Sequence, residues 1–451
     1  MFNKKKDKFV VYSVFFIYIL FLITGSLRKW FLPDLATPLI FLTDPFVMGL
    51  YGYCFFNNLI MYRGLASTWL KLAIFTTIFG LIQYMSNGYA LEGWVLGVRA
   101  YWLYMPLAFI IAQTFQHQDV IRFFKFNLWL AMPYAILVSY QYRSSPFAFI
   151  NRGVGGDEEA AVSVALNILR PFGLFTYTNP NVVFTTAMIT MLVAVYLAGK
   201  KEHPHPLVFL VMALSVSTMG VLTGSRGIYF FVALIIGLST LGLVATQLNF
   251  KTLIKLFFIV AFIALAGLIL VNVFPDMYVA LGIRIETAAA SEGSIWNRAY
   301  DVSFSFLNTL DIAPIFGNGI GAGASGVARF LGLQNLAFGE SDTERNLNEL
   351  GIIMGSTFIL MRWFTSFWIV KSSIKLARQG KESMLLPLAG FIALNFSVGQ
   401  LTFSPTISFF PWIFLGMTLV YQNSILLNGN RFLRLVSILD DSKVQSFRRN
   451  L

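Results

Sequence analysis

One cysteine and three histidines stand among 451 residues. Cys54 has no second cysteine to pair with in its own chain, so an intramolecular disulfide and a multi-cysteine metal centre are both excluded. Charge is scarce as well. Asp, Glu, Lys and Arg make up 12% of the chain, against about 25% in ordinary soluble domains. No low-complexity segment or charged tail marks off a separate soluble domain. What fills the sequence instead is apolar: 57% hydrophobic residues, with 46 Phe and 9 Trp, and a mean hydropathy of +0.70. A soluble fold cannot hide that much apolar surface, whereas lipid-facing helices with aromatic ends can. The expected fold class is all-α and polytopic, a single transmembrane bundle over residues 1–451.

Apolar stretches of roughly 20 residues, the length of a bilayer crossing, fall at 9–27, 39–60, 65–85, 94–114, 120–141, 179–198, 206–223, 227–246, 253–273, 350–370, 384–402 and 407–427. They give about twelve transmembrane helices. The first follows Met-Phe-Asn-Lys-Lys-Lys-Asp-Lys without a small-residue cleavage site, which reads as a retained helix rather than a signal peptide. Both termini would then be cytoplasmic. The positive-inside rule agrees with this count, since 21 of the 33 Lys and Arg residues fall on segments assigned to the cytoplasm. The outer assignment takes 12 basic and 15 acidic residues. The sequence pI of about 9.6 is therefore topological, and its expected partner is the anionic cytoplasmic leaflet rather than nucleic acid. Of the 12 outer basic residues, 11 are Arg and only Lys29 is Lys. A planar fork of donors suits phosphate oxygens, although Arg also suits partial burial beside acids.

Three outer segments are candidates for chemistry: 142–178, the turn at 223–227, and 274–349, which is far too long to be a mere connector. Within the last, Trp296, Tyr300, Phe304, Leu307 and Leu310 recur at helical spacing, predicting an amphipathic helix over 295–310 that lies on the membrane surface. Gly317, Gly319, Gly321, Gly323 and Gly326 follow. With no Lys-Ser/Thr pair after them they read better as tight turns than as a phosphate cradle. Glu340, Asp342 and Glu344 then cluster at a helix start, where carboxylates favour the helix dipole, or where one of them acts as general base. Arg345 and Glu349 have the spacing of a helix-surface pair. His117, His203 and His205 all fall on cytoplasmic segments, so a base for outer chemistry has to be a carboxylate. Charges within a span are functional candidates: Arg99 is the clearest, while Asp44 and Arg362 fall near interfaces. Arg226, in a short turn between two helices, sits at the outer bilayer surface, as a snorkelling anchor or as a phosphate ligand.

Thr223-Gly-Ser-Arg-Gly227, opening a helix, resembles the hallmark of the O-antigen ligase and polymerase superfamily. In order, Arg170-Pro-Phe-Gly-Leu-Phe-Thr-Tyr-Thr-Asn-Pro-Asn181, Trp296-Asn-Arg298 with Pro314-Ile-Phe-Gly-Asn-Gly-Ile-Gly321, and Glu349-Leu-Gly-Ile-Ile-Met-Gly355 resemble its further motifs, over roughly residues 165–370. Gly25-Ser-Leu-Arg-Lys-Trp30 and Asp44-Pro45 look like exopolysaccharide-polymerase members. The ligases carry a histidine late in the long outer loop. Here that stretch reads Ser341-Asp-Thr-Glu-Arg-Asn346, which favours a polymerase.

The resemblance implies a bacterial inner-membrane glycosyltransferase that polymerises polyprenyl-diphosphate-linked oligosaccharides on the outer face without metal or cofactor. Implied partners are the lipid-linked donor and acceptor, with a flippase and a chain-length regulator. Arg226, Arg298, Arg170 and Arg99 would stabilise the leaving diphosphate. Glu344, Asp342 or Glu340 would take the acceptor proton, a contribution typically of about 10²–10⁴-fold. The alternatives are a ligase that transfers glycan to another acceptor and a transporter without chemistry. Internal repeats would mark the transporter, and no clear repeat is present.

Overall fold

The computed structural model describes residues 7–60, 63–161, 168–246, 265–292, 295–324, 326–333, 339, 341–379 and 382–422, with Ile254 and Phe257. Every regular element among them is a helix. In chain order they are α1 Lys8–Ser26, α2 Asp44–Phe56, α3 Leu65–Ser86, α4 Leu91–Trp102, α5 Met105–Thr114, α6 His117–Arg143, α7 Thr178–Leu197, α8 Pro206–Leu222 and α9 Arg226–Thr246. There follow α10 Leu265–Val273, α11 Pro275–Glu292, α12 Ile295–Thr309, the single turn α13 Val327–Phe330, α14 Asp342–Arg378, α15 Leu385–Ser397 and α16 over 405–422.

Local chemistry sets several of these boundaries. Asp7 caps α1 by accepting from the amides of Phe9 and Val10, satisfying donors that a helix start leaves open. α6 and α14 each begin with a reciprocal capping box, Gln116 with Asp119 and Ser341 with Glu344. Pro275 opens α11 at a bend of 102° from α10.

Among the described residues, eight helices are long and apolar enough to cross a membrane, or nine if α10 and α11 form one broken span. This is fewer than the twelve expected from apolar runs. α8 and α15, of 17 and 13 residues, are apolar but shorter than the roughly 20 residues of a full crossing. A twelve-crossing topology needs both of them, with α16 and the broken pair, to traverse as well.

The core gathers around α14 and α15. Trp69 of α3 meets Trp412 of α16 edge to face at 5.2 Å and Phe358 of α14 at 5.9 Å, and its indole N–H donates to Thr365 at 3.0 Å. Helices α6, α7 and α8 pack against one another beside this centre. The long 274–349 connection is largely helical. Phe306 of α12 meets Trp363 of α14 edge to face at 5.4 Å, and with Leu310 just past the helix end it packs on Ala313, Leu347 and Ile359, whereas Tyr300 and Leu307 stay exposed. That leaves an apolar stripe free to face lipid.

The chain ends of these elements sort onto two faces. One face carries the start of α6, the end of α7 and the α14–α15 turn, tied by Lys125 to Glu202 at 2.9 Å and by His117 beside Glu382 at 3.8 Å. The other carries the end of α6, the α8–α9 turn and the head of α14. All the candidate site residues with described side chains lie toward that second face.

Candidate functional site

The first eight residues of α14 hold a buried charge network. Asp342 is gripped from two sides, by Arg345 and by Arg362, whose Nη1 is 2.7 Å from Oδ2. Thr402 adds its amide at 3.3 Å and its hydroxyl at 3.2 Å. Arg362 is fully buried. It donates also to Asn346 Oδ1 at 2.8 Å and to the carbonyls of Phe396 at 2.8 Å and Gly399 at 2.6 Å. Asn346 in turn donates to the Tyr101 hydroxyl at 2.9 Å and to Thr402 at 2.8 Å.

Glu349 closes the set, and here the sequence reading is corrected. Arg345 and Glu349 do approach, at 3.5 Å, but both are buried and the pair is not on a helix surface. The Glu349 carboxylate accepts from the Tyr101 hydroxyl at 2.5 Å and from the amides of Gly323 at 2.8 Å and Gly321 at 3.2 Å. The glycine-rich segment is thus a series of tight turns, with positive φ at Gly317, Gly319 and Gly321, and its amides cradle an internal carboxylate. α14 breaks at Gly351, φ 79°. The carbonyls freed by the break are taken up by Asn318 N at 2.8 Å, Gly319 N at 3.0 Å and the Gln83 side chain of α3 at 2.9 Å. Backbone polar groups buried at such a break need these partners.

A second constellation surrounds the α8–α9 turn. Arg170 donates through Nε to the Thr223 carbonyl at 3.2 Å, and Arg284 of α11 donates to the next carbonyl, Gly224, at 2.9 Å. Gly224 has φ 57°, which lets the turn present both carbonyls to the arginines. Arg226, half-buried, opens α9 immediately afterwards. Burial, and after it the charge of Arg284, pulls Arg170 down to about 10, so it stays charged at neutral pH.

The expected residues therefore separate. Arg170 and Arg226 share one turn, and Arg284 joins them although no sequence motif singled it out. Arg99 is committed to Asp44, with Nε at 2.5 Å and Nη2 at 3.1 Å, and to the Ile40 carbonyl at 2.8 Å. Glu344 serves the capping box of α14 and is half-buried. Glu340 and the side chain of Arg298 lie outside the described residues. No family model matches this chain, and no curated protein matches it.

The loop between the two constellations is held firmly. Lys29, 1% exposed, donates to the Gly173 carbonyl at 2.8 Å and lies 4.3 Å from the ring centroids of both Trp30 and Phe172. Gln141 accepts from Gly173 N at 2.8 Å. Farther along, Asn179 reaches Gln400 at 3.3 Å. Tyr177 lies in the fields of Arg345 and Arg28; burial pushes its phenol up to about 12, and the two guanidiniums pull the other way. Sequence reasoning missed Lys29, Tyr101, Asn346 and Thr402. For Tyr101 and Thr402 the available signal was a polar group in an apolar stretch, and it does not say which partner waits across the fold.

Proposed function

We propose that this chain is a bacterial inner-membrane glycosyltransferase that polymerises polyprenyl-diphosphate-linked oligosaccharides on the outer face, with twelve crossings and both termini cytoplasmic. The observation that carries the reading is the convergence of Arg170, Arg226 and Arg284 on one turn at the head of a membrane helix. Arg170 and Arg284 lie within each other's field, and donors of this kind suit phosphate oxygens. As the anomeric carbon–oxygen bond breaks, negative charge grows on the leaving diphosphate, so fixed donors there stabilise the transition state more than the ground state. Arg298, in α12, is the fourth candidate ligand.

For the general base we favour Glu344. Asp342 is locked between two arginines and Thr402 and is 1% exposed, so it is not placed to meet an acceptor hydroxyl. Glu344 is half-buried beside this network, and the base must reach an acceptor hydroxyl.

The test is to incubate purified protein with a synthetic polyprenyl-diphosphate oligosaccharide and read product size. A ladder is the expected result. A single transfer to a foreign acceptor would identify a ligase, and movement of the intact lipid across a vesicle without new bonds would identify a transporter. Arg226→Lys should lose most turnover despite its charge, because one ammonium cannot make two parallel hydrogen bonds to phosphate. Wild-type turnover in that variant would reduce Arg226 to a membrane anchor.

A further inference from the structure

The first span, Lys8–Phe31, ends in a π-turn over Leu27–Phe31, closed by the Leu32 amide on the Leu27 carbonyl at 2.7 Å. Such turns frequently mark functional sites. Two successive residues in this one are cations. Lys29 is 1% exposed, and a buried charge is ordinarily paired with an opposite one. The partners of its ammonium are instead the Gly173 carbonyl and the rings of Trp30 and Phe172. Arg28, half-buried, donates through Nε to the Ala36 carbonyl at 2.7 Å, a bond that does not use its two Nη groups. Among the described residues neither cation makes an ion pair: Asp44 is taken by Arg99, and Asp342 and Glu349 belong to the set with Arg345 and Arg362.

Holding the loop does not require a charge at position 29. Gln141 already grips the same glycine at its amide, 2.8 Å, and at its carbonyl, 3.2 Å, and Asn181 holds the Pro171 carbonyl at 2.8 Å. A neutral donor would be cheaper to bury than an ammonium. What the lysine adds is a positive field, which reaches farther inside a protein than in water. Arg28 and Tyr177 lie in each other's fields. The Tyr177 loop continues to the exposed Asn179, whose amide meets Gln400 at 3.3 Å. The two cations therefore border phenol and amide groups, which suit sugar hydroxyls, while the Nη fork of Arg28 suits an oxyanion.

We propose that the π-turn is the anion seat of a saccharide site, in which Arg28 contacts an oxyanion carried on the sugar, Tyr177, Asn179 and Gln400 meet its hydroxyls, and Lys29 strengthens the seat by its field without touching the ligand. The ligand class is an acidic glycan. That this glycan is a substrate rests on the function proposed above. The seat itself rests on the two cations.

The test uses the full-length protein in detergent, titrated by calorimetry with a glucuronate-containing heparosan tetrasaccharide and with neutral chitotetraose. The acidic sugar should bind about tenfold more tightly or better, on the order of what one unit charge contributes across roughly 10 Å at an effective dielectric near 20. Arg28→Gln should erase that preference; if it does not fold, Arg28→Lys gives the comparison and should lower the preference several-fold, having lost the fork. Lys29→Met and Lys29→Gln should each lower it several-fold while the melting temperature holds or rises, since an unpaired charge has left the interior. Equal binding of the two sugars, or binding of neither, overturns the seat. A fall of both affinity and melting temperature in Lys29→Met, with both restored in Lys29→Gln, makes Lys29 a hydrogen-bonding pin and overturns its field role. Complete displacement of the acidic sugar by phosphatidylglycerol in mixed micelles makes a lipid headgroup the occupant and overturns the saccharide. If the acidic preference depends on Arg28 while the wild type makes no glycan product, the seat stands and the glycosyltransferase reading falls.

Discussion

Asp342 and Glu344 are two residues apart and differently placed, and a test can separate them. Asp342→Asn leaves Arg345 and Arg362 buried with one carboxylate between them, and removing one member of a buried charge set costs about 3–5 kcal/mol. We expect a large drop in melting temperature in detergent for that variant. Glu344→Gln preserves the shape of the capping box and should cost about 1 kcal/mol or less, while abolishing turnover if Glu344 is the base. Full turnover in Glu344→Gln would confine that residue to its cap. The carboxylate cluster itself was legible, because four acids within ten positions stand out in an apolar chain. The fate of each was not. An i,i+4 pair reads the same whether it faces solvent or core, and Glu349 is decided by Tyr101 and the amides of Gly321 and Gly323.

Helices were the most legible scale. The apolar runs, apart from 253–273, which lies partly outside the described residues, and the amphipathic repeat of 295–310 sit on observed helices, with α12 ending one residue short of the expected span. What could not be read was the break at Gly351, since a lone glycine in a helix usually only weakens it. Its necessity becomes visible once the opposing segment is in place: a Cβ there would lie 2.2 Å from the Ile315 carbonyl. A similar contact joins α4 to the glycine turns, where a Cβ on Gly97 would lie 2.0 Å from the Ile320 carbonyl. Gly97→Ala should therefore push the turn away from α4, costing about 1–3 kcal/mol and exposing residues 317–326 to limited proteolysis. Wild-type protease resistance would count against a rigid seat for the Glu349 cradle.

At the scale of the whole molecule, the two faces predict labelling. In a Cys54→Ser background, Ser145→Cys should react with a membrane-impermeant reagent added outside intact cells, and His205→Cys only after permeabilisation. The reverse pattern would invert the proposed orientation and place the arginine turn in the cytoplasm. The face of His117 and Glu382 also predicts a pH response. Burial raises the Glu382 carboxyl from 4.5 to about 7, so the folded state holds its proton more tightly than the unfolded chain does. That contribution to stability is fully present below about pH 4.5 and is lost as pH rises through about 7. Glu382→Gln should flatten the melting temperature across that window, and an unaltered profile would assign the slope to another group.

The hydrogen bond from Gln83 to the Glu349 carbonyl joins residues 266 apart in sequence, and that from Tyr101 to the Glu349 side chain spans 248. At about 5–20 residues per second, α3 and α4 enter the membrane on the order of tens of seconds before α14 exists to meet them. Through that interval Gln83 and Tyr101 must be satisfied by water, lipid headgroups or the insertion machinery. The buried network is therefore a late event in biogenesis, and a ribosome stalled before residue 342 would display α3 and α4 with their polar contacts still to be made.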